Sequence, residues 1–110
     1  IATSYIGPME PTTDIDEIND QLPVEFQLFQ NFPNPFNPTT TISWQSPVSS
    51  WQSLKIYDVI GNEVATLVNE EKAAGEYEIV FNAEELPSGI FFYQLQTETS
   101  IITKKMNLIK

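Results

Sequence analysis

Tyr77-Glu78-Ile79-Val80-Phe81, followed across Leu86-Pro87-Ser88-Gly89 by Phe91-Phe92-Tyr93-Gln94-Leu95-Gln96, is the stretch that decides the fold. Both runs repeat with a period of two. Tyr77, Ile79 and Phe81 fall on one face of an extended chain, and Phe91, Tyr93 and Leu95 on one face of the next. A slip of one residue would turn either set outward, so the pattern also sets the register. Toward the C-terminus, Ile102, Met106 and Leu108 share a face within 102–108. Toward the N-terminus, Leu54-Lys55-Ile56-Tyr57 and Thr40-Thr41-Ile42-Ser43-Trp44 alternate and are rich in β-formers, and Phe26-Gln27-Leu28-Phe29-Gln30 reads as a first strand. Glu63-Val64-Ala65-Thr66-Leu67-Val68 is mixed, and a helix is open there.

Turn residues punctuate these runs. Ile60-Gly61-Asn62 after Asp58 predicts a hairpin with glycine at positive φ, and Ala74-Gly75 and Pro87-Ser88-Gly89 are read the same way. Gln45 to Gln52, with Pro47 and several serines, reads as a loop that leaves Trp51 exposed, whereas Trp44 shares a face with Ile42 and belongs to the core. Seven short strands and no convincing amphipathic helix define an all-β chain, an antiparallel β-sandwich.

Composition narrows the chemistry. The 110 residues carry 15 Asp and Glu against 5 Lys, with no Arg, His or Cys, and a net charge of -10. One domain with one core suits that length. A Ser-His-Asp triad, a cysteine nucleophile, a disulfide and an ordinary structural zinc site are excluded, as is a bidentate arginine clamp. Such an acidic chain is repelled by nucleic acid and anionic lipid. The expectation is a binding or structural module and not an enzyme, with no catalytic residues, cofactor or metal. The charge is uneven. Residues 1–23 hold five acids, no Lys and three prolines, and read as an extended acidic linker ahead of a domain at 24–110. Residues 24–98 sum to -8, and the last twelve, with Lys104, Lys105 and Lys110, to +3. No basic and apolar leader opens the chain, and no apolar run approaches the ~18 residues that span a bilayer. The expectation is a piece of a longer protein.

Four groupings bear on chemistry. Asp14, Asp16, Glu17 and Asp20 fail as a calcium loop, because Ile18 and Asn19 stand where a ligand and a glycine are needed. Glu70-Glu71 and Glu84-Glu85 are neighbours that point to opposite faces of a strand, and read as surface charge and not as a glycosidase pair. An exposed Trp51 leaves a sugar-stacking surface as an alternative. Asn31-Phe32-Pro33-Asn34-Pro35-Phe36-Asn37-Pro38 is the most unusual segment. Its prolines fix φ, and Phe32 and Phe36 are expected to bury their rings and pin a stiff connection onto the sandwich. An exposed recognition element is the alternative.

These residues carry a resemblance. The segment from Phe29 to Thr40, with Asn34-Pro35-Phe36, resembles the opening motif of the C-terminal sorting domains of the type IX secretion system. Asp58-Val59-Ile60-Gly61-Asn62-Glu63-Val64 is similar to that family's central turn. Leu86-Pro87-Ser88-Gly89-Ile90-Phe91-Phe92-Tyr93 is similar to its late motif, with Phe91 where tyrosine is common. Lys104-Lys105-Met106-Asn107-Leu108-Ile109-Lys110 resembles its Lys-rich ending. The four occur in order across 22–110.

The resemblance implies a seven-stranded antiparallel Ig-like β-sandwich at the C-terminus of cargo proteins of Bacteroidetes and related bacteria. It implies passage through the periplasm, recognition by the outer-membrane translocon, cleavage by a sortase near the start of the domain, and release or anchoring at the cell surface. Its partners would be that translocon, the sortase and an upstream cargo domain, with no nucleic acid. Lys104, Lys105, Met106, Leu108, Ile109 and Lys110 are the recognition candidates. Asn34, Pro35, Phe36, Asp58, Gly61, Pro87 and Gly89 are structural motif positions. Lysines on a last strand suit carboxylates on a receptor and also block edge-to-edge aggregation. An Ig-like adhesion or carbohydrate-binding module is the alternative, with a flagellar hook-assembly scaffold domain and an enzyme fragment behind it.

Overall fold

A computed structural model describes residues 23–110. The calcium-loop residues and nearly all of the expected linker, 1–23, lie outside the described residues. Seven strands form in chain order: β1 (Gln27–Leu28), β2 (Thr39–Ser46), β3 (Ser50–Tyr57), β4 (Glu63–Lys72), β5 (Gly75–Asn82), β6 (Gly89–Thr97) and β7 (Ile101–Leu108). They make two sheets, β1-β2-β5 and β4-β3-β6-β7, with every neighbouring pair antiparallel. No helix occurs among the described residues. The fold class is therefore the expected all-β sandwich. Its fourth strand pairs with β3 and not with β5, which divides the seven strands three against four.

The period-two pattern explains the core. Ile42, Trp44 and Phe81 of the first sheet meet Leu54, Ile56, Phe91, Tyr93, Leu95, Met106 and Leu108 of the second in one buried cluster. Tyr77 stacks on Trp44 with ring centroids 5.6 Å apart, and Phe36 lies 6.4 Å from Phe81. Each large side chain so buried contributes about 1.5–3 kcal/mol. The buried Trp44 indole N–H donates to Gln52 Oε1 at 2.9 Å, which satisfies the one polar atom that the ring brings inside.

Several local expectations are corrected. The first strand is two residues long, extended by one bond from Phe29 N to Ser43 O. The helix left open at 63–68 is strand. Its broken alternation reflects two register shifts between β3 and β4, at Leu54/Lys55 and Ile56/Tyr57. Such irregularities move neighbours onto one face, so Val64 and Ala65 are both half-buried. The loop read at 45–52 shrinks to Pro47–Ser49, and Trp51 stands in β3, half-buried, its Nε1 donating to Asn69 Oδ1 at 2.8 Å. Only Gly61 closes a hairpin. The chain around Ala74-Gly75 and Pro87-Ser88-Gly89 crosses between sheets, because β5 pairs with β2 while β4 and β6 both flank β3. Phe36 is buried as expected, but Phe32 is 79% exposed. A single ring is enough to pin the segment.

Candidate functional site

Strand alternation decides what meets what. β2 runs from Thr39, opposite Asn82, to Ser46, opposite Gly75. β6 runs from Gly89, opposite Leu108, to Gln96, opposite Ile101. Following the chain up and down places the segments 29–38, 58–62 and 83–88 and residues 109–110 at one end of the sandwich. Pro47–Ser49, Ala73–Ala74, Glu98–Ser100 and the entry of the chain at Pro23 lie at the other. All four motifs singled out in the sequence thus converge on one end.

Hydrogen bonds tie that end together. Gln30 Nε2 donates to the Lys105 carbonyl at 2.8 Å, and Asn34 Oδ1 accepts from Asn107 N at 2.9 Å. Phe36 N donates to the Asn107 carbonyl at 3.0 Å and the Phe36 carbonyl accepts from Ile109 N at 2.9 Å, a short parallel bridge beside Leu108. β7 is an edge strand, and these four bonds cover the outward backbone groups of its last half. Beneath them, Tyr93 Oη donates to the Phe29 carbonyl at 2.6 Å and accepts from Asn31 N at 2.8 Å. Burial raises the Tyr93 phenol to about 12, partly offset by the Asn31 donor. Asn31 Nδ2 reaches Thr40 Oγ1 at 2.9 Å and the Pro33 carbonyl at 3.2 Å, and Thr40 Oγ1 donates to the same carbonyl at 2.8 Å.

The other two motifs adjoin each other. Gly61 has φ 94°, and its N–H donates to the Asp58 carbonyl at 3.1 Å. Asp58 Oδ1 accepts from Ile60 N and Asn62 N, so one carboxylate closes the turn. No atom lies within 4 Å of where a Gly61 Cβ would stand, so the requirement for glycine is conformational. Thr66 Oγ1 and then Lys55 hold the Glu63 carboxyl below its usual range. Asp58 and Val59 share a groove of about 250 Å³ with Leu86, Pro87, Gly89 and Phe91. Lys110 closes this side: its N–H donates to Ser88 Oγ at 3.1 Å, and its ammonium donates to the Glu84 carbonyl.

The recognition candidates divide by face. Met106 and Leu108 are 0% exposed and belong to the core, so they present no surface in the folded domain. Lys104 shares their face and is half-buried, while Lys105, Ile109 and Lys110 are exposed. Of the motif positions, Asn34, Pro35, Asp58, Gly61, Pro87 and Gly89 stand at the same end as the buried Phe36. Gln30, Asn31, Thr40 and Ser88 lie inside the motif segments, but the sequence did not single them out as site residues. Their only signal was polarity within a motif. Tyr93 was read as core, and the outward bond of its hydroxyl has no sequence signature. No cluster of three or more His, Cys, Asp or Glu able to hold a metal occurs among the described residues.

Fold and site define a two-sheet antiparallel sandwich whose motif-bearing segments are gathered and cross-bonded at one end. The chain belongs to the family of secretion system C-terminal sorting domains, which it matches over residues 30–109. It carries a type IX secretion sorting signal, and membership implies export to the cell surface or the extracellular space. Comparison with curated proteins finds no match.

Proposed function

We propose that the motif-bearing end is the surface by which the folded domain is handed to the outer-membrane translocon. Lys105, Ile109 and Lys110 make the exposed contacts, with Lys104 at their rim. The observation that carries this reading is topological. Four motifs separated along the chain meet at one end, while the chain enters at the other. A folded cargo joined upstream would then not obstruct the docking end. In this reading residues 1–23 link cargo to domain, the domain crosses the periplasm folded, and a sortase cuts near the linker before release or anchoring. The domain itself is not an enzyme and takes no cofactor or nucleic acid. Its only cations are five lysines, three of them in the last seven residues.

The test is a reporter fused ahead of residue 1 and expressed in a bacterium with a type IX system. Lys105→Glu with Lys110→Glu should leave the reporter inside the cell while the domain melts as before. Undiminished surface delivery would refute the assignment of these lysines. An adhesion or lectin role would show instead as glycan binding lost in Trp51→Ala.

A further inference from the structure

The Lys-rich strand is not presented by its own residues alone. β7 is the edge of its sheet, and an edge strand has backbone groups on one side that its own sheet does not pair. Here the holder lies more than seventy residues earlier. Gln30, Asn34 and Phe36 occupy the outward backbone groups of Lys105, Asn107 and Ile109, alternate residues of the strand that bears the exposed lysines. Two of these four bonds join main-chain atoms, both at Phe36. The other two are supplied by exposed side chains: the Gln30 amide N–H on the Lys105 carbonyl at 2.8 Å, and the Asn34 amide oxygen on Asn107 N at 2.9 Å. The Asn34 side chain makes no hydrogen bond within its own segment, although Asn before Pro usually closes its own turn. Its carbonyl oxygen is directed across to the last strand.

We infer that residues 30–36 form a clasp that sets the geometry of the sorting signal, with Asn34 as its positioning residue. The signal is then composite. Lys105 and Lys110 are held in a readable arrangement only when the segment at 30–36 has docked on β7, so an incompletely folded domain offers no signal. This inference rests on the reading of the Lys-rich end as the recognised surface. It adds a folding requirement to that surface and gives the opening Asn-Pro motif a role beyond joining two strands.

Two readouts on the full 110-residue chain test it. In Asn34→Ala, exchange of the Asn107 and Ile109 amides should quicken by roughly two- to tenfold, as one hydrogen bond is worth. Surface delivery of the fused reporter should fall at a temperature where circular dichroism shows the sandwich intact. Asn34→Asp keeps an acceptor oxygen and should restore both slow exchange and delivery. Quickened exchange with undiminished delivery would overturn the clasp and leave the recognition reading standing. If Lys105→Glu with Lys110→Glu is also delivered normally, the recognition reading itself fails. Unchanged exchange in Asn34→Ala would show that the bond does not hold the strand and would likewise overturn the inference.

Discussion

The two ends of this sandwich close their strands in different ways. At the entry end the connections are two or three residues long, and their side-chain bonds are local. Ser46 Oγ donates to the Val48 carbonyl, Tyr77 Oη to the Ala73 carbonyl, and Thr97 Oγ1 accepts from Thr99 N and Ser100 N. At the motif end one connection spans 29–38, and its bonds reach Tyr93 and β7, at separations of 62 to 75 residues. Joining neighbouring strands needs only the first kind of closure. Long-range contacts carry a larger loop-closure cost, and form only when distant segments have already been brought together. The motif end is therefore shaped for something beyond connection, and its shape reports on the whole fold.

If the two ends differ in this way, substitutions at each should have unequal effects. The largest effect is expected from Phe36→Ala. Removing a ring that is 1% exposed should cost about 3–5 kcal/mol, read by urea unfolding. A loss under about 1 kcal/mol would mean that the ring does not pin the motif end.

Tyr93→Phe comes next. It leaves Asn31 N–H and the Phe29 carbonyl without their partner, at about 1–3 kcal/mol. The same phenol predicts a pH dependence. Its pKa is raised on folding, from near 10 to about 12, so the folded state holds the proton more tightly than the unfolded one. This contribution is complete below about pH 10 and is lost as pH rises toward 12. Wild type should therefore lose more stability over that window than Tyr93→Phe. Parallel profiles would remove the buried phenol from the account.

The entry end should respond least. Thr97→Val removes the three local turn bonds of its hydroxyl and should cost about 1 kcal/mol, with no change in exchange at Asn107 or Ile109. Quickened exchange there would show that the two ends are not independent.

Much of this was legible in the sequence. The runs at 77–81 and 91–96 carried their faces in plain alternation, and Tyr77, Ile79, Phe91, Tyr93 and Leu95 lie where period two puts them. β4 was not legible, because register shifts against β3 erase the alternation that identifies a strand. Crossovers at Gly75 and Gly89 looked like hairpins, since a glycine turn shows that the chain bends and not which sheet it joins. At the site, Asp58 and Gly61 announced their turn locally. The contact of Asn34 with Asn107 could not be read, because a bond across 73 residues leaves no spacing to detect. Met106 and Leu108 were grouped with the lysines by proximity in sequence, although strand alternation separates the core side chains from Lys105 and Ile109.

The central claim, that one end is read and the other is not, is tested most directly by matched surface variants of the reporter fusion. Ile109, at 50% exposure, stands with Lys105 at the motif end, and Val48, at 52%, at the entry end. Surface delivery, measured by protease accessibility on whole cells, should collapse for Lys105→Glu with Ile109→Asp and stay at the wild-type level for Val48→Asp with Ser49→Asp, both pairs melting as the parent does. Equal delivery by the two pairs, or loss confined to the entry end, would contradict the account.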